Sequence, residues 1–139
     1  MITDRMADIH ARSFTVPRPW SAKELDSFRS DPKVVTVSSD NGFAMGQVIL
    51  DEAEVLTVAV DPNARRSGEG RKLMTELLAA VQARGVTRVF LEVNVNNPAA
   101  IALYRSFGFS DSGLRRGYYA VGDGTSHDAL LMQVTLKAA

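Results

Sequence analysis

The alternation of hydrophobic and polar residues along the chain predicts a definite order of helices and strands. Leu73, Leu77, Leu78 and Val81 recur at helical spacing, and Gly85 follows where the end of a helix favours a left-handed residue. Runs rich in β-branched and apolar residues predict strands where turn residues bound them. The predicted helices are 3–14, 21–29, 68–84 and 97–108, and the predicted strands are 33–38, 43–50, 54–60, 86–93, 113–121 and 129–136.

Local signals at the helix ends support this order. Ser21 and Glu24 have the spacing of a capping box, and Asn97 with Pro98 is typical of an N-cap followed by the first helical position. Helices interspersed with strands predict a mixed central sheet flanked by helices, an α/β (α+β) fold. At 139 residues the chain has the size of one domain, and we predict a single domain over 1–139.

Composition excludes several classes of function. The chain has no cysteine, which excludes a disulfide framework, a cysteine zinc site and thiol nucleophile chemistry. Its two histidines lie near opposite ends of the sequence, so no metal site is predicted. Sixteen basic residues balance sixteen acidic ones, which argues against a nucleic-acid partner. The sequence shows no export signal and no apolar run long enough for a membrane span, so we expect a cytoplasmic protein.

The segment after the predicted strand 54–60 carries the clearest functional signal. Two glycines open the following helix, and four cations with one acid give a local charge of +3. Glycines allow close backbone approach, and the N-terminus of a helix favours anions, so the segment predicts a pyrophosphate site. The alternative is a surface helix start with incidental charge. The residues concerned are Arg65, Arg66, Ser67, Gly68, Glu69, Gly70, Arg71 and Lys72.

Two common phosphate motifs do not fit this segment. A P-loop needs four residues between its glycines, and only one separates Gly68 from Gly70. A dinucleotide fingerprint needs a third glycine where Leu73 stands.

The spacing instead resembles the [Q/R]-x-x-G-x-[G/A] pyrophosphate loop of the GCN5-related N-acetyltransferase (GNAT) superfamily. The residues from Asn97 to Phe109 resemble that family's N-x-x-A-x-x-L-Y-x-x-x-G-F signature. Within the superfamily the chain most resembles the ribosomal-protein-alanine N-acetyltransferase (RimI-like) type. The segments that carry this likeness are Pro19-Trp20-Ser21, Leu91-Glu92-Val93, residues 100–104, Arg115-Arg116-Gly117-Tyr118-Tyr119 and residues 127–132.

The resemblance implies an acetyltransferase that uses acetyl-CoA as cosubstrate and acts on the α-amine of a protein N-terminus. It implies that Glu92 is the general base and Tyr104 the general acid. The residues implied to bind the cofactor are Val58, Ala59 and Val60 along the pantetheine arm, Arg65, Arg66, Ser67, Gly68, Glu69, Gly70 and Arg71 around the pyrophosphate, and Asn97 at the pantetheine end.

Elementary chemistry supports the two catalytic roles. An N-terminal ammonium must lose a proton before it attacks a thioester, and Glu92 lies in an otherwise apolar run where a carboxylate is costly without a role. Tyr104 could protonate the departing thiolate. The alternatives are a solvated carboxylate at Glu92 and an ordinary core aromatic at Tyr104.

The sequence leaves alternatives for the identity of the acceptor and for the residues that bind it. A groove for a peptide could be lined by Trp20, Tyr118 and Tyr119. The alternative is that these are ordinary packing residues. Within the enzyme class the alternative is acetylation of a small amine or a lysine side chain, and outside it a non-catalytic acyl-CoA-binding module. The sequence allows a monomer or a homodimer.

The chain departs from the family pattern at three points. The first strand expected of the fold is short or missing, since the first helix begins almost at once. Glu69 puts a negative charge in the pyrophosphate loop, where it could weaken the binding of the cofactor. Asn94 replaces an arginine that relatives often carry, which bears on the choice of acceptor.

Overall fold

A computed structural model describes residues 2–13, 20–64, 68–120 and 126–137. In these residues the predicted order of elements is confirmed. The helices are α1 (Ile2–Ser13), α2 (Ala22–Ser30), α3 (Glu69–Ala83) and α4 (Pro98–Ser106), and a 3-10 turn covers Pro62–Ala64. The strands are β1 (Val34–Ser39), β2 (Gly42–Ile49), β3 (Glu52–Val60), β4 (Arg88–Asn94), β5 (Ser110–Ala120) and β6 (Ser126–Thr135).

The strands of the described residues form one mixed sheet in the order β1-β2-β3-β4-β6-β5. β3 and β4 are parallel, and the other neighbouring pairs are antiparallel. The mixed sheet agrees with the sequence prediction. Within the described part of the chain α1 comes first, with no strand before it.

Helices pack on both faces of the sheet. We call the side that packs against α3 and α4 the first face, and its core includes Leu73, Leu77, Leu91 and Met132. We call the opposite side the second face. There α1 and α2 cover β1, β2 and part of β3, and the core is a separate cluster. Its buried members are Met6, Ile9, Leu25, Val34, Phe43, Met45 and Ala59.

An irregularity in β3 reverses which residues point to each face. Met45 of β2 pairs with Thr57, and the next residue, Gly46, pairs with Val55, so Leu56 is an extra residue in β3. Before it, Val55 packs in the core of the first face, and after it Val58 does so. The insertion therefore changes the orientation of the strand halfway along its length.

The local signals identified in the sequence form the expected caps. Ser21 Oγ accepts the backbone N–H of Glu24 at 3.2 Å, and the Glu24 side chain accepts the N–H of Ser21. Asn97 Oδ1 accepts the N–H of Ala100 at 3.2 Å, with Pro98 in the first turn. Gly85 has φ 89° beyond the end of α3. These contacts satisfy backbone groups that a helix terminus leaves free.

The last hairpin is longer than its sequence pattern indicated. β5 begins at Ser110 and β6 at Ser126, each three residues before the predicted start. Pairing between the two strands extends over polar residues such as Asp111, which faces Met132. β5 is at the edge of the sheet, so residues 110–117 are exposed and show no hydrophobic alternation. The predicted joining loop at 122–125 lies outside the described residues.

Two features of the structure bear on the membrane and metal classes of function that composition addressed. None of the described helices combines the length and apolar character needed to cross a membrane. Among the described side chains, no group of three or more His, Cys, Asp or Glu is arranged to hold a metal ion.

Candidate active site

The parallel strands β3 and β4 diverge at the centre of the sheet. Their paired residues run only from Glu52 with Arg88 to Glu54 with Phe90. Beyond Glu54, β3 continues to Val60 while β4 pairs on its other side with β6 as far as Asn94. A gap between two adjacent strands leaves backbone groups available to a ligand, and it connects the two faces of the sheet.

Glu92 lies on β4 beside this divergence. Its neighbours Leu91 and Val93 belong to the core of the first face, so Glu92 points to the second face. Its side chain is 22% exposed, and its Oε1 lies 3.4 Å from Arg115 Nη2. Arg115 reaches it from β5, across β6. A partly exposed carboxylate held by one cation can receive a proton from a group approaching on this face.

A second carboxylate, Glu54, lies next to this pair. Glu54 is paired with Phe90 on β4, so it faces the same side as Glu92, two residues further along β4. Burial raises the pKa of Glu54, the nearby Glu92 carboxylate raises it further, and Arg115 opposes the rise. Glu54 was not singled out from the sequence. The polar positions Glu52 and Glu54 in an alternating strand were the available signal, but only the register brings Glu54 close to Glu92.

Tyr104 lies on the other side of the sheet. It is buried in the core of the first face, and its ring lies 5.9 Å from that of Phe109. Glu92 and Tyr104 thus approach the sheet from opposite faces. Groups on opposite faces can act on one reaction only through an opening, and the divergence of β3 and β4 is such an opening.

The start of α3 has the features expected of an anion site. Gly68 precedes the helix with φ 82°, and none of the described side chains caps this end with a hydrogen bond. A Cβ at Gly70 would come within 3.3 Å of the Leu103 side chain, so the helix packs closely there. Free N–H groups in the first turn favour an anion. Arg65, Arg66 and Ser67 of the predicted loop lie outside the described residues.

The charged side chains of Glu69 and Arg71, in the first turn of α3, point in different directions. The Glu69 carboxylate accepts a hydrogen bond from Ser39 Oγ at the end of β1, so its charge is partly satisfied within the protein. Arg71 instead donates to Ser106 Oγ at 3.0 Å and lies over the Phe107 ring at 5.3 Å. Arg71 therefore bridges the start of α3 and the end of α4.

Comparison with known proteins identifies the family. Residues 3–109 match the model described as the acetyltransferase (GNAT) family. The chain belongs to the GNAT family. It is thus an N-acetyltransferase, as predicted from the residues around Gly68 and Asn97.

Individual relatives indicate which type of acetyltransferase within the family this chain resembles. A [ribosomal protein bS18]-alanine N-acetyltransferase of Escherichia coli K12 is 39% identical, with 97% of this chain and 93% of the relative covered. An N-alpha-acetyltransferase RimI of Mycobacterium tuberculosis is 38% identical, covering 84% and 78%. The crystal structure of the ribosomal-protein-S18-alanine N-acetyltransferase from Escherichia coli has a TM-score of 0.83 and 37% identity. It matches over 96% of this chain and 86% of its own. The predicted RimI-like type is therefore confirmed.

Two asparagines near the start of α4, Asn97 and Asn94, already form hydrogen bonds within the protein. Asn97 uses its Oδ1 to cap α4, which leaves its Nδ2 amide as the group able to donate to a ligand. Asn94 is buried, accepts the N–H of Asn96 and bonds His127 Nδ1 at 2.9 Å. Asn94 consequently holds the turn after β4 against β6.

The aromatic residues predicted for the acceptor site are not brought together by described contacts. Trp20 stacks on His10, with ring centroids 5.0 Å apart, and packs on Phe28. It therefore belongs to the edge of the second-face core. Tyr118 and Tyr119 lie on β5, and their side chains fall outside the described ones.

His10 ties α1 to β3 and to Trp20. It is 2% exposed, its Nδ1 accepts the backbone N–H of Trp20 at 3.0 Å, and its Nε2 lies 3.1 Å from Thr57 Oγ1. Because Nδ1 accepts, the neutral ring carries its proton on Nε2 and donates it to Thr57. Burial lowers the pKa of His10 to about 4, although Glu24 opposes this. His10 is thus a neutral structural group rather than a base for the transfer.

Proposed function

We propose that this GNAT enzyme transfers the acetyl group of acetyl-CoA to the N-terminal α-amine of a ribosomal protein that begins with alanine. Two curated relatives are named for such a reaction or for N-alpha-acetylation, and the match to the Escherichia coli enzyme covers nearly the whole of both chains. The observation that carries the proposal is the position of Glu92, at the divergence of β3 and β4 on the face open to an acceptor.

The donor substrate would bind on the side of α3. The N–H groups of the first turn, beside Gly68 and Gly70, suit its pyrophosphate, and Arg71 adds a positive charge close by. The backbone of Val58, Ala59 and Val60 runs along the gap, which suits the amide groups of a pantetheine arm. The Asn97 amide lies at the start of α4 and can donate to the same arm.

The acceptor would approach from the second face. Its ammonium group gives one proton to Glu92, and the neutral nitrogen attacks the thioester carbonyl. The C–N bond forms, the C–S bond breaks as the tetrahedral intermediate collapses, and the nitrogen loses a second proton to solvent water, to which Glu92 also releases its proton. Tyr104 supplies a proton to the thiolate sulfur and is then reprotonated, so that one proton is released per turnover. Arg115 holds the Glu92 carboxylate in place.

The location of the enzyme follows from the same proposal. A nascent or newly assembled ribosomal protein and a CoA thioester are both cytoplasmic, so we propose that the enzyme acts in the cytoplasm.

The choice of acceptor can be tested by thiol release from acetyl-CoA with three amines. One is a short peptide that starts with alanine, the second is the same peptide blocked at its N-terminus and carrying a lysine, and the third is spermidine. We expect turnover with the first alone. Turnover only with the lysine peptide or with spermidine would contradict the proposed acceptor while leaving the acetyltransferase intact.

The proposed acid can be tested with Tyr104→Phe, which keeps the ring in the core. We expect kcat to fall by about 10² or more, since a positioned proton donor contributes on that order. Binding of acetyl-CoA, followed by calorimetry, should change little. An unchanged kcat would remove Tyr104 from the mechanism.

A further inference from the structure

The part of the second face that lies beyond α1 and α2 contains a concavity that Glu54 lines and that lies on the same face as the proposed base Glu92. It has a volume of about 190 Å³ and opens beside the β2–β3 hairpin. Pairing places Gln47 beside Glu54 and Ile49 beside Glu52, while Glu54 in turn lies beside Phe90. Since directly paired residues share a face, these side chains form one surface with Glu92.

The tip of the hairpin exposes aliphatic side chains. Leu50 is 90% exposed and Ile49 is 58% exposed, and both line the concavity. Leu50 also has φ 58°, in the left-handed region that asparagine or glycine normally occupies in a two-residue hairpin loop. Packing does not account for a leucine here. An exposed leucine in an unfavourable conformation is more readily explained by contact with another molecule.

The concavity is acidic in a chain whose net charge is zero. Asp51, Glu52 and Glu54 line it, and Arg88 pairs with Glu52 at 2.9 Å. With Glu92 and its partner Arg115 included, four carboxylates and two guanidinium groups leave a local excess of negative charge. A surface that combines this charge with apolar side chains is complementary to a chain with basic and apolar residues.

The distances along β4 fit an extended peptide. A strand advances about 3.4 Å per residue, so Phe90 lies about 7 Å and Arg88 about 14 Å from Glu92. An acceptor whose α-amine is at Glu92 would bring its residues from about the third onward to the concavity.

We propose that this concavity binds the basic segment that follows the first residues of the acceptor polypeptide. The inference rests on the proposed function, because it takes the α-amine at Glu92 as the starting point. The hairpin residues Leu50 and Asp51 determine which acceptors are preferred, and the chemistry at Glu92 does not require them. Ribosomal proteins, which contact RNA phosphates, are commonly basic, and this suits the charge of the surface.

The test compares alanine-initiated acceptors of different length and charge. A tripeptide amide measures the reaction itself. Two octapeptides share its first three residues and carry either arginine or glutamine at positions four to six. We expect kcat/KM for the arginine peptide to exceed that for the glutamine peptide by about ten-fold at low salt, and the ratio to fall as salt screens the charges.

Variants of the hairpin locate the effect. Leu50→Asn suits the left-handed conformation, so the fold should keep its stability, and Asp51→Asn removes one charge. Each should lower the arginine-to-glutamine ratio about three-fold and leave tripeptide turnover unchanged. The matched controls are Leu114→Asn, an exposed leucine on β5, and Glu76→Gln, an exposed acid on α3, and both should leave the ratio unchanged.

The outcomes separate the two proposals. A tripeptide that is not acetylated, while spermidine is, overturns the proposed function. A tripeptide that is acetylated with no preference between the octapeptides overturns the inference alone, as does a preference that Leu50→Asn and Asp51→Asn leave intact. A change of oligomeric state in Leu50→Asn, measured by light scattering without a change in the ratio, would assign the hairpin to a subunit contact and also overturn the inference.

Discussion

The second face of the sheet has a half covered by α1 and α2 and an open half, and ionisable groups have different environments in the two. His10 of α1 is buried in the half of this face that α1 and α2 cover. Its two ring nitrogens are hydrogen-bonded, and burial lowers its pKa to about 4. In the open half, burial raises the pKa of Glu54, and Glu92 is ion-paired with Arg115. Burial disfavours the charged form in both halves, which shifts a base down and an acid up.

This comparison separates structural from chemical roles. The covered half contains His10, whose neutral form is favoured by burial and which fixes α1 and Trp20 against β3. The open half keeps carboxylates that a substrate can reach, with Arg115 as a partner. The boundary between the halves is set by how far α1 and α2 extend over the sheet.

The largest expected effect concerns the open half. Glu92→Gln keeps the size of the side chain and removes the proposed base, so kcat should fall by about 10² to 10⁴. The variant should bind acetyl-CoA normally in a calorimetric titration and unfold at the same urea concentration. Equal turnover would rule out Glu92 as the base, and loss of both binding and folding would show that the open half is structural as well.

The covered half should instead respond in stability. Leu25 of α2 is fully buried against the sheet, so Leu25→Ala should cost about 2 to 5 kcal/mol in the free energy of unfolding. Leu131→Ala, on the open half of the same face, removes a partly buried side chain and should cost about 1 kcal/mol. Urea unfolding measures both, and equal costs would contradict the distinction between the halves.

The pH dependence of stability tests the enclosed histidine. The pKa of His10 is about 4 in the folded protein and 6.5 when unperturbed, so the unfolded state binds the proton first as pH falls. The stability contributed by neutral His10 is complete above pH 6.5 and is lost between pH 6.5 and 4, by about 3 kcal/mol.

The variant His10→Asn isolates this contribution, because asparagine can still accept the Trp20 N–H but does not titrate. Urea unfolding of both proteins between pH 7 and 4 should show that the variant loses less stability. Parallel losses would mean that His10 is protonated in the folded state.

The smallest effect is expected at Glu54. Burial raises its folded pKa above the ordinary value of 4.5, so its contribution to stability is greatest in acid and falls as pH rises above that value. Glu54→Gln should therefore gain stability relative to the wild type between pH 4 and 7. A relative loss would show that Arg115 outweighs burial at this carboxylate.

The sequence indicated much of the fold because its helix caps and turn residues are local signals. Ser21 with Glu24 and Asn97 with Pro98 formed the caps that their spacing predicted. The ends of β5 and β6 were less predictable, since an edge strand with both sides exposed has no hydrophobic alternation to mark its start.

Some features of the candidate site were likewise visible in the sequence, and others depend on the fold. The glycines at the start of α3 and the apolar neighbours of Glu92 are adjacent in sequence, so their chemistry could be inferred without coordinates. The ion pair of Glu92 with Arg115 and the proximity of Glu54 depend on which strands are neighbours. No pattern along the chain states that β6 lies between β4 and β5.

The sequence by itself thus determined the family and the order of elements and predicted residues for acetyl transfer, because these depend on motifs and short-range periodicity. Only the tertiary structure decided that Glu92 and Tyr104 lie on opposite faces of a diverging sheet. It also decided that Glu69 bonds Ser39 and that the hairpin at Leu50 lines one concavity with Glu54. These relations depend on strand register and helix packing, which join residues far apart in sequence and are fixed only when the whole sheet assembles.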